Sequence, residues 1–246
     1  MKALILNSGV GKRMGELTRE RPKCMVPIGG GHTILSWQLE TLRRVGITDV
    51  VITTGPFAGA LAHYASERLP SIQYVHNPKY RETNYIYSMY LARELLRDDL
   101  ILLHGDLTLE ESVLEELLAA SESAVAVEWG VPLPEKDFKA RLVQGRIREI
   151  GVDVFGEDCV ACQPAYKLNK ADMTAWLEAI SVFCERNETA VYAENALNSI
   201  LDRVTMVPAA LNGRLCNEID NPQDLAAVSG RFQNLMNKTE EMRAEK

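Results

Sequence analysis

The chain has 246 residues, of which 46% are hydrophobic and 25% charged, as is usual for a globular protein of one large or two small domains. Its net charge of −7 argues against a broad nucleic-acid-binding surface, and no apolar stretch approaches the roughly 18 residues of a membrane span. Five cysteines in a chain of this size indicate reduced thiols. We therefore expect a cytoplasmic protein without a nucleic-acid or membrane partner.

The first half of the chain alternates short apolar, β-branched runs with longer amphipathic ones, and Gly46 caps the first of the helical segments. The predicted segments are strands at 2–7, 49–55, 72–76, 99–106 and 124–128, and helices at 33–45, 57–68, 85–96 and 109–120. This α/β alternation predicts a Rossmann-like, mostly parallel mixed sheet with helices on both faces.

After Gly130 the pattern changes, and FKARLVQGRIREIGV predicts a β-hairpin that turns at Gln144-Gly145. The segments predicted beyond it are strands at 160–168, 205–209 and 215–219, helices at 170–187 and 193–203, and a last helix from Asn221-Pro222. With no flexible linker or repeat, residues 1–230 are predicted to form one domain with a β-rich insertion. Residues 231–246 are predicted to form a polar C-terminal tail, either a fraying helix or a linker.

The first strand runs into a glycine-rich loop, LNSGVGKRMGELTRERPKCMVPI, with cations at Lys12, Arg13 and Lys23. Such a loop favours phosphate binding, because bare backbone N–H groups approach an anion closely. The dinucleotide-binding fingerprint does not fit, since Met14 stands where it requires the third glycine. Walker A does not fit either, because Lys12 follows Gly11 without the required spacing.

The order G-x-G-x-R, Leu17-Thr18 and Pro22-Lys23 resembles the signature loop of nucleotidyltransferases that make nucleoside-diphosphate sugars and alcohols. The resemblance covers roughly residues 1–230 and implies the GT-A-like fold of that superfamily. It also takes in His104-Gly105-Asp106 and Asn217-Glu218-Ile219-Asp220, where family members place two metal-binding aspartates.

The resemblance implies a role for each of these polar residues. Asp106 and Asp220 would hold Mg²⁺ together with substrate phosphates, although an aspartate at a strand end can also be a helix cap. Lys23 would act near the α-phosphate, and Lys12 and Arg13 on the leaving pyrophosphate. The catalytic residues implied are Arg13, Lys23, Asp106 and Asp220, and the nucleotide-binding residues are Asn7, Ser8, Gly9, Gly11, Lys12, Arg13, Asn84, Ser88 and Gly105.

The segment HNPKYRETNYIYSMYLARELL resembles that of phosphocholine cytidylyltransferases and of relatives acting on 2-aminoethylphosphonate. It implies that Asn84 and Ser88 recognise a base or ribose. The acceptor-binding residues implied are Tyr85, Tyr87, Tyr90 and Glu194, whose alternatives are core packing for the tyrosines and a helix first-turn acid for Glu194. Lys139 is predicted to be a surface lysine of the hairpin.

The expected function is therefore a CTP-dependent cytidylyltransferase that transfers CMP to a small amine-bearing phosphonate or phosphate monoester and releases pyrophosphate. The slight preference is for a primary amine such as 2-aminoethylphosphonate over phosphocholine, because Glu194 could bind an ammonium group. The alternatives are a sugar-1-phosphate nucleotidyltransferase and a non-catalytic nucleotide-binding domain. A homodimer and fusion to a downstream enzyme domain are both left open.

Overall fold

The computed structural model describes the backbone of residues 1–244 and the side chains of residues 1–238. The strands are β1 (Lys2–Asn7), β2 (Pro27–Gly29), β3 (His32–Thr33), β4 (Val50–Thr54), β5 (Ile72–His76), β6 (Leu100–His104), β7 (Leu107–Leu109), β8 (Ser123–Glu128), β9 (Lys139–Val143), β10 (Arg146–Gly151), β11 (Cys159–Leu168), β12 (Met206–Ala210) and β13 (Cys216–Glu218). The α-helices are α1 (Ile34–Arg44), α2 (Ala58–Ser66), α3 (Tyr85–Ala92), α4 (Glu111–Ala119), α5 (Lys170–Glu185), α6 (Ala193–Asn198) and α7 (Pro222–Ala244).

A mixed central sheet organises these elements in the order β10-β9-β11-β6-β1-β4-β5, with β8 and β12 joined to β11. Strands β6, β1, β4 and β5 run parallel, whereas β11 is antiparallel to β6, β8 and β9. The predicted α/β class with a mostly parallel mixed sheet is confirmed. The parallel strands end at one edge of the sheet, where ligands of such folds bind.

Two layers of core cover the sheet, because successive side chains of a strand point to opposite faces. Leu4 and Leu6 of β1 pack into one cluster with α3, α5 and α6, while Ala3 and Ile5 pack into the other with α1, α2 and α4. Both layers bury their apolar side chains almost completely. The sheet is thus a rigid support for the loops at its edge.

The hairpin of β9 and β10 turns at Gln144 and Gly145, which both have positive φ, as the sequence predicted. Three short strands were not predicted: β2, β3 and β7. Strand β7 pairs with β13 in a separate two-stranded sheet. The helix predicted at 193–203 is wrong in length, because α6 ends at Asn198. The side-chain amide of Asn198 accepts a hydrogen bond from the Ile150 N–H and donates one to the Ile150 carbonyl in the hairpin. Residues 199–203 then form turns.

A third, smaller core cluster lies beneath the loop that follows β1 and holds the C-terminal helix in place. Phe232 of α7 is fully buried there, with its ring 4.9 Å from that of Trp37. Helix α7 crosses residue 230 without a break, so the packed structure extends at least to Phe232. The predicted division of the chain at residue 230 stays a prediction, and residues 245–246 of the predicted tail lie outside the described residues.

Within residues 1–244 no helix is both long enough and apolar enough to cross a membrane. All five cysteines are free thiols. Four of the five are buried, and burial raises the pKa of the Cys184 thiol to about 11.

Candidate active site

A cleft of about 400 Å³ opens at the carboxyl ends of β1 and β6. The loop after β1 forms one wall, the turn after β6 forms the floor, and the segment after β13 brings in Glu218 and Asp220. The residues of the loop and floor that line it are Asn7, Gly9, Gly11, Lys12, Arg13, Lys23, Gly105 and Asp106. The resemblance of the sequence therefore points to residues that the fold brings together.

Close backbone packing at two positions requires glycine. A Cβ on Gly105 would collide with the side-chain oxygen of Asn7, and one on Gly55 would collide with the backbone of Ser8. These contacts hold the loop after β1 against the ends of β4 and β6. They explain why no side chain stands between the cleft floor and the loop.

The loop itself combines a left-handed residue with a buried anchor. Gly11 has φ +68°, and the chain then forms a 3₁₀ turn over Lys12–Thr18 that exposes Lys12 and Arg13. Met14 is buried in the third core cluster beside Ile219, the neighbour of Asp220. Met14 thus fixes the loop to the segment that carries the second carboxylate.

Lys23 lies between the two aspartates. Its Nζ is 2.5 Å from Asp106 Oδ2 and 2.8 Å from Asp220 Oδ1, while Arg13 reaches the same oxygen of Asp220 at 2.8 Å. Burial would lower the pKa of Lys23, but the two carboxylates outweigh it and raise that pKa. Burial would likewise raise the pKa of Asp106, but the neighbouring Lys23 holds it below its usual value.

A histidine–glutamate pair completes the floor. His104 Nδ1 lies 3.2 Å from Glu218 Oε1, and burial, reinforced by the Asp106 charge, raises the pKa of Glu218 to about 7. Burial would lower the pKa of His104, but its hydrogen bond to Glu218 and the Glu218 charge raise it. Each member of the pair therefore holds its proton more tightly than it would in water.

The cleft floor fits a hard divalent cation. Asp106 Oδ1 and His104 Nε2 are buried without a hydrogen-bond partner, and His104, Asp106 and Glu218 present ligand atoms within 4.8 Å of one another. Asp220 adds a carboxylate that shares Lys23 with Asp106. Oxygen-rich sites with few protein ligands suit Mg²⁺, which keeps its remaining positions for water and substrate phosphates.

A second hollow of about 460 Å³ adjoins the cleft and shares Gly9, Asn84 and Asp106 with it. Ser88 lines this hollow, but it is buried and donates to Ser8 Oγ at 3.0 Å while accepting from Asn77 at 3.0 Å. Asn84 caps α3 by accepting the Tyr85 N–H. Ser88 therefore supports the loop from behind, and Asn84 stands at the border of the two hollows.

Four aromatic rings line one side of the cleft and contact one another in a closed circuit. Their centroids are 4.7 Å apart for Tyr85–His104, 6.4 Å for His104–Phe138, 5.1 Å for Phe138–Tyr192 and 5.9 Å for Tyr85–Tyr192. We call Tyr85, Phe138 and Tyr192 the aromatic wall. Such faces attract cations, including quaternary ammonium groups.

Three of the predicted acceptor residues do not lie where the resemblance implied. Tyr87 and Tyr90 stack on each other at 6.1 Å against the core and do not line the cleft. Glu194 is 1% exposed, and both its oxygens accept phenol hydrogen bonds, from Tyr85 and from Tyr166. It lies behind the aromatic wall and does not line the cleft, and the preference for a primary amine stays a prediction.

Lys139 is also not the surface lysine that was predicted. It is fully buried, and its ammonium group donates to the carbonyls of Pro134 and Val152 beside the ring of Phe155. It ties the loop that carries Phe138 to the turn after β10. Hydrophobic patterning could not reveal this, because the backbone acceptors come from two different loops.

The sequence analysis also missed Phe138 and Tyr192 as lining residues. Tyr192 precedes the first residue of α6, and Phe138 precedes β9. Both stand at element ends, where no periodicity marks them. The one available signal was their position in the chain, since Phe138 is one residue from Lys139 and Tyr192 is two residues from Glu194.

The loop, the paired aspartates and the sheet beneath them have the arrangement of a nucleotidyltransferase. Residues 3–166 match the sequence model of the MobA-like NTP transferase domain. Since this match covers more than half of the chain, the protein belongs to that family. The nucleotidyltransferase prediction is confirmed.

Known relatives agree with this assignment. CMP-5′-(3-aminopropyl)phosphonate synthase of Streptomyces rubellomurinus is 41% identical over 129 residues, but the match covers 51% of this chain and only 20% of that protein. CTP:phosphoglutamine cytidylyltransferase of Campylobacter jejuni is 24% identical over 251 residues, covering 92% of this chain and 98% of its own. The structure of CTP:phosphocholine cytidylyltransferase from Streptococcus pneumoniae shares the fold at a TM-score of 0.78 and 21% identity, over 94% of this chain and 98% of its own.

Proposed function

We propose that the protein is a CTP-dependent cytidylyltransferase that transfers CMP to a small phosphonate or phosphate monoester bearing an amine, with release of pyrophosphate. The observation that carries the proposal is one cleft that unites a cationic glycine loop, two aspartates and an aromatic wall. A triphosphate suits the loop, and a cationic acceptor suits the wall. The relatives support the nucleotide, because the names of all three specify a CMP product, CTP or a cytidylyl transfer.

The reaction places few chemical demands on the protein. An oxygen of the acceptor's phosphonate or phosphate attacks the α-phosphorus of CTP, a new P–O bond forms, and the bond to the β-phosphate oxygen breaks with its electron pair leaving on pyrophosphate. Because the attacking oxygen is already anionic, no general base is needed. Catalysis then consists of positioning and charge neutralisation.

The charged residues divide this work among them. Lys23, whose side chain is largely enclosed, neutralises charge at the reacting phosphorus, while the exposed Lys12 and Arg13 bind the departing pyrophosphate. Asp106 and Asp220 would hold Mg²⁺. When bound, that ion would draw off negative charge from the phosphate oxygens.

The acceptor preference follows from the aromatic wall. Tyr85, Phe138 and Tyr192 bring three aromatic rings to one side of the cleft, a lining that suits a cation. Lys136 and Asp137 also line the cleft, beside Phe138, so an acceptor with both an anionic and a cationic end meets opposite charges there. This favours an amine-bearing acceptor over a sugar 1-phosphate.

The acceptor class is tested by pyrophosphate release with CTP and one acceptor at a time. We expect kcat/KM for 2-aminoethylphosphonate or phosphocholine to exceed that for glucose 1-phosphate by ~100-fold. It should exceed that for 2-hydroxyethylphosphonate, which lacks the ammonium group, by ~10-fold, matching a cation–aromatic contribution. Equal rates for the two phosphonates would remove the cation site. A preference for glucose 1-phosphate would favour the sugar-nucleotide alternative.

A further inference from the structure

The ammonium group of Lys23 occupies the place between Asp106 and Asp220 where a divalent cation would bind. It contacts one oxygen of each aspartate, and Arg13 adds a second positive charge on the Asp220 oxygen. The Lys23 side chain is only 15% exposed. The carboxylate pair of the free protein is thus already neutralised by the chain's own cations.

The position of Lys23 is set by its neighbours. Pro22 precedes it in an extended conformation, and the buried Cys24 anchors the turn that follows. Gly11 packs against its stem so tightly that a Cβ there would come within 3.2 Å of the Lys23 Cβ. The backbone is therefore held, and only the outer side-chain torsions can carry the ammonium group elsewhere.

A free metal ion that binds Asp106 Oδ2 and Asp220 Oδ1 would have to expel this ammonium group. Mg²⁺ binds oxygen at about 2.0–2.1 Å, so it cannot share these two oxygens with a nitrogen already at hydrogen-bond distance from both. Like charges a few ångströms apart repel strongly at the effective dielectric of a protein cleft. A displaced Lys23 would lose both of its aspartate partners.

A triphosphate changes this balance, because it brings anions that can receive Lys23 and Arg13 as the metal takes the aspartates. We propose that Lys23 holds the cation position of the empty cleft, so that the divalent metal is admitted only together with the triphosphate, as a metal–nucleotide complex. This inference deepens the proposed function and rests on it in naming a nucleoside triphosphate as substrate.

Two binding constants are linked by this exchange. If the nucleotide raises the affinity for metal, the metal raises the affinity for nucleotide by the same factor. Removing the Lys23 charge uncouples the two binding constants, because the metal can then bind the carboxylates without displacing an ammonium group. Lys12 provides the matched control, since it lines the same cleft with the same charge but forms no ion pair among the described side chains.

The experiment is calorimetric titration of Mn²⁺ into the whole protein, alone and in the presence of α,β-methylene-CTP, which binds without reacting. The analogue is expected to tighten Mn²⁺ binding by the wild type at least tenfold beyond what the protein and the analogue achieve as separate, independent sites. Lys23→Met is expected to bind Mn²⁺ alone at least tenfold more tightly than the wild type, and Lys12→Met within about twofold of it. Circular dichroism shows whether each variant is folded.

Equal Mn²⁺ affinity of the wild type with and without the analogue would overturn the inference, and this arm needs no variant. Equal tightening in the Lys12→Met and Lys23→Met variants would also overturn it, since general electrostatics would then be the cause. Pyrophosphate release is measured separately. A protein that turns over CTP but binds free Mn²⁺ readily contradicts the exchange alone, whereas a protein inactive with every nucleotide contradicts the proposed function.

Discussion

Replacing Asp220 with asparagine isolates the charge of one carboxylate while keeping the shape of the side chain. Asp220 Oδ1 receives both Lys23 and Arg13 at 2.8 Å, so the variant leaves these two cations facing a neutral amide. The backbone around it stays supported, because the Asp220 N–H donates to Asp224 and Ile219 is fully buried. The substitution therefore perturbs the site more than the fold.

The expected loss follows from the role of that charge. Deleting one preorganised electrostatic contact to a reacting group typically costs on the order of 100-fold or more in kcat. Lys23 keeps its 2.5 Å ion pair with Asp106, so we expect the Tm to fall by no more than about 5 °C, the equivalent of one or two kcal/mol in a chain of this size.

The assay is steady-state pyrophosphate release with CTP and 2-aminoethylphosphonate, alongside thermal unfolding of the same samples. Asp202→Asn is the matched control, because Asp202 is exposed and, among the side chains of residues 1–238, pairs only with its neighbour Arg203. It should retain full activity. If Asp220→Asn kept kcat within a few-fold of the parent while remaining folded, Asp220 would have no part in the reaction and the assignment of the metal ligands would be wrong.

Three further predictions follow from the aromatic wall, the raised pKa values of Glu218 and His104, and the third core cluster. Tyr192→Ala should raise the KM for an amine-bearing acceptor about 5- to 10-fold and leave that for CTP unchanged, whereas Tyr87→Ala, outside the cleft, should leave both unchanged; steady-state kinetics decide this. The pKa of Glu218 is raised to about 7 and that of His104 is also raised, so the folded protein holds protons that the unfolded chain releases above pH ~4.5 and ~6.5. The Tm should therefore fall by several degrees from about pH 5 to about pH 8. A Glu218→Gln variant whose Tm fell as much over this range would refute the assignment to Glu218. Phe232→Ala should lower the free energy of unfolding in urea by about 3–5 kcal/mol, and a loss below 1 kcal/mol would exclude Phe232 from the core.

The sheet could be predicted because its signals are local. The buried strands β1, β4 and β6 are continuous apolar runs, and the left-handed turn at Gln144-Gly145 is marked by its residue types. Strand β7 follows the predicted strand at 99–106 and overlaps the predicted helix at 109–120 only at Leu109, and three residues are too few to set a period. Its existence depends on pairing with β13, more than 100 residues further along the chain.

The candidate site divides in the same way. Glycines and loop cations indicate phosphate binding by their type and spacing, whereas Asp106 was singled out by the family resemblance, and the fold brings both to one cleft. The acceptor side could not, since it depends on which tyrosine faces outward. Tyr85 and Tyr87 are two residues apart on one helix, yet Tyr85 lines the cleft while Tyr87 packs inward, and Glu194 is withdrawn from the cleft by two phenol groups.

The identity of the transferred group is the central claim, and phosphorus NMR of the product tests it most directly. The protein is incubated with Mg²⁺, 2-aminoethylphosphonate or phosphocholine, and each of CTP, UTP, ATP and GTP in turn. We predict that CTP gives one equivalent of pyrophosphate and a coupled pair of phosphorus signals from a CMP-linked product with one of these acceptors, at least tenfold faster than any other nucleotide. A linked product from UTP, ATP or GTP at the same rate, or none from CTP with either acceptor, would contradict the assignment.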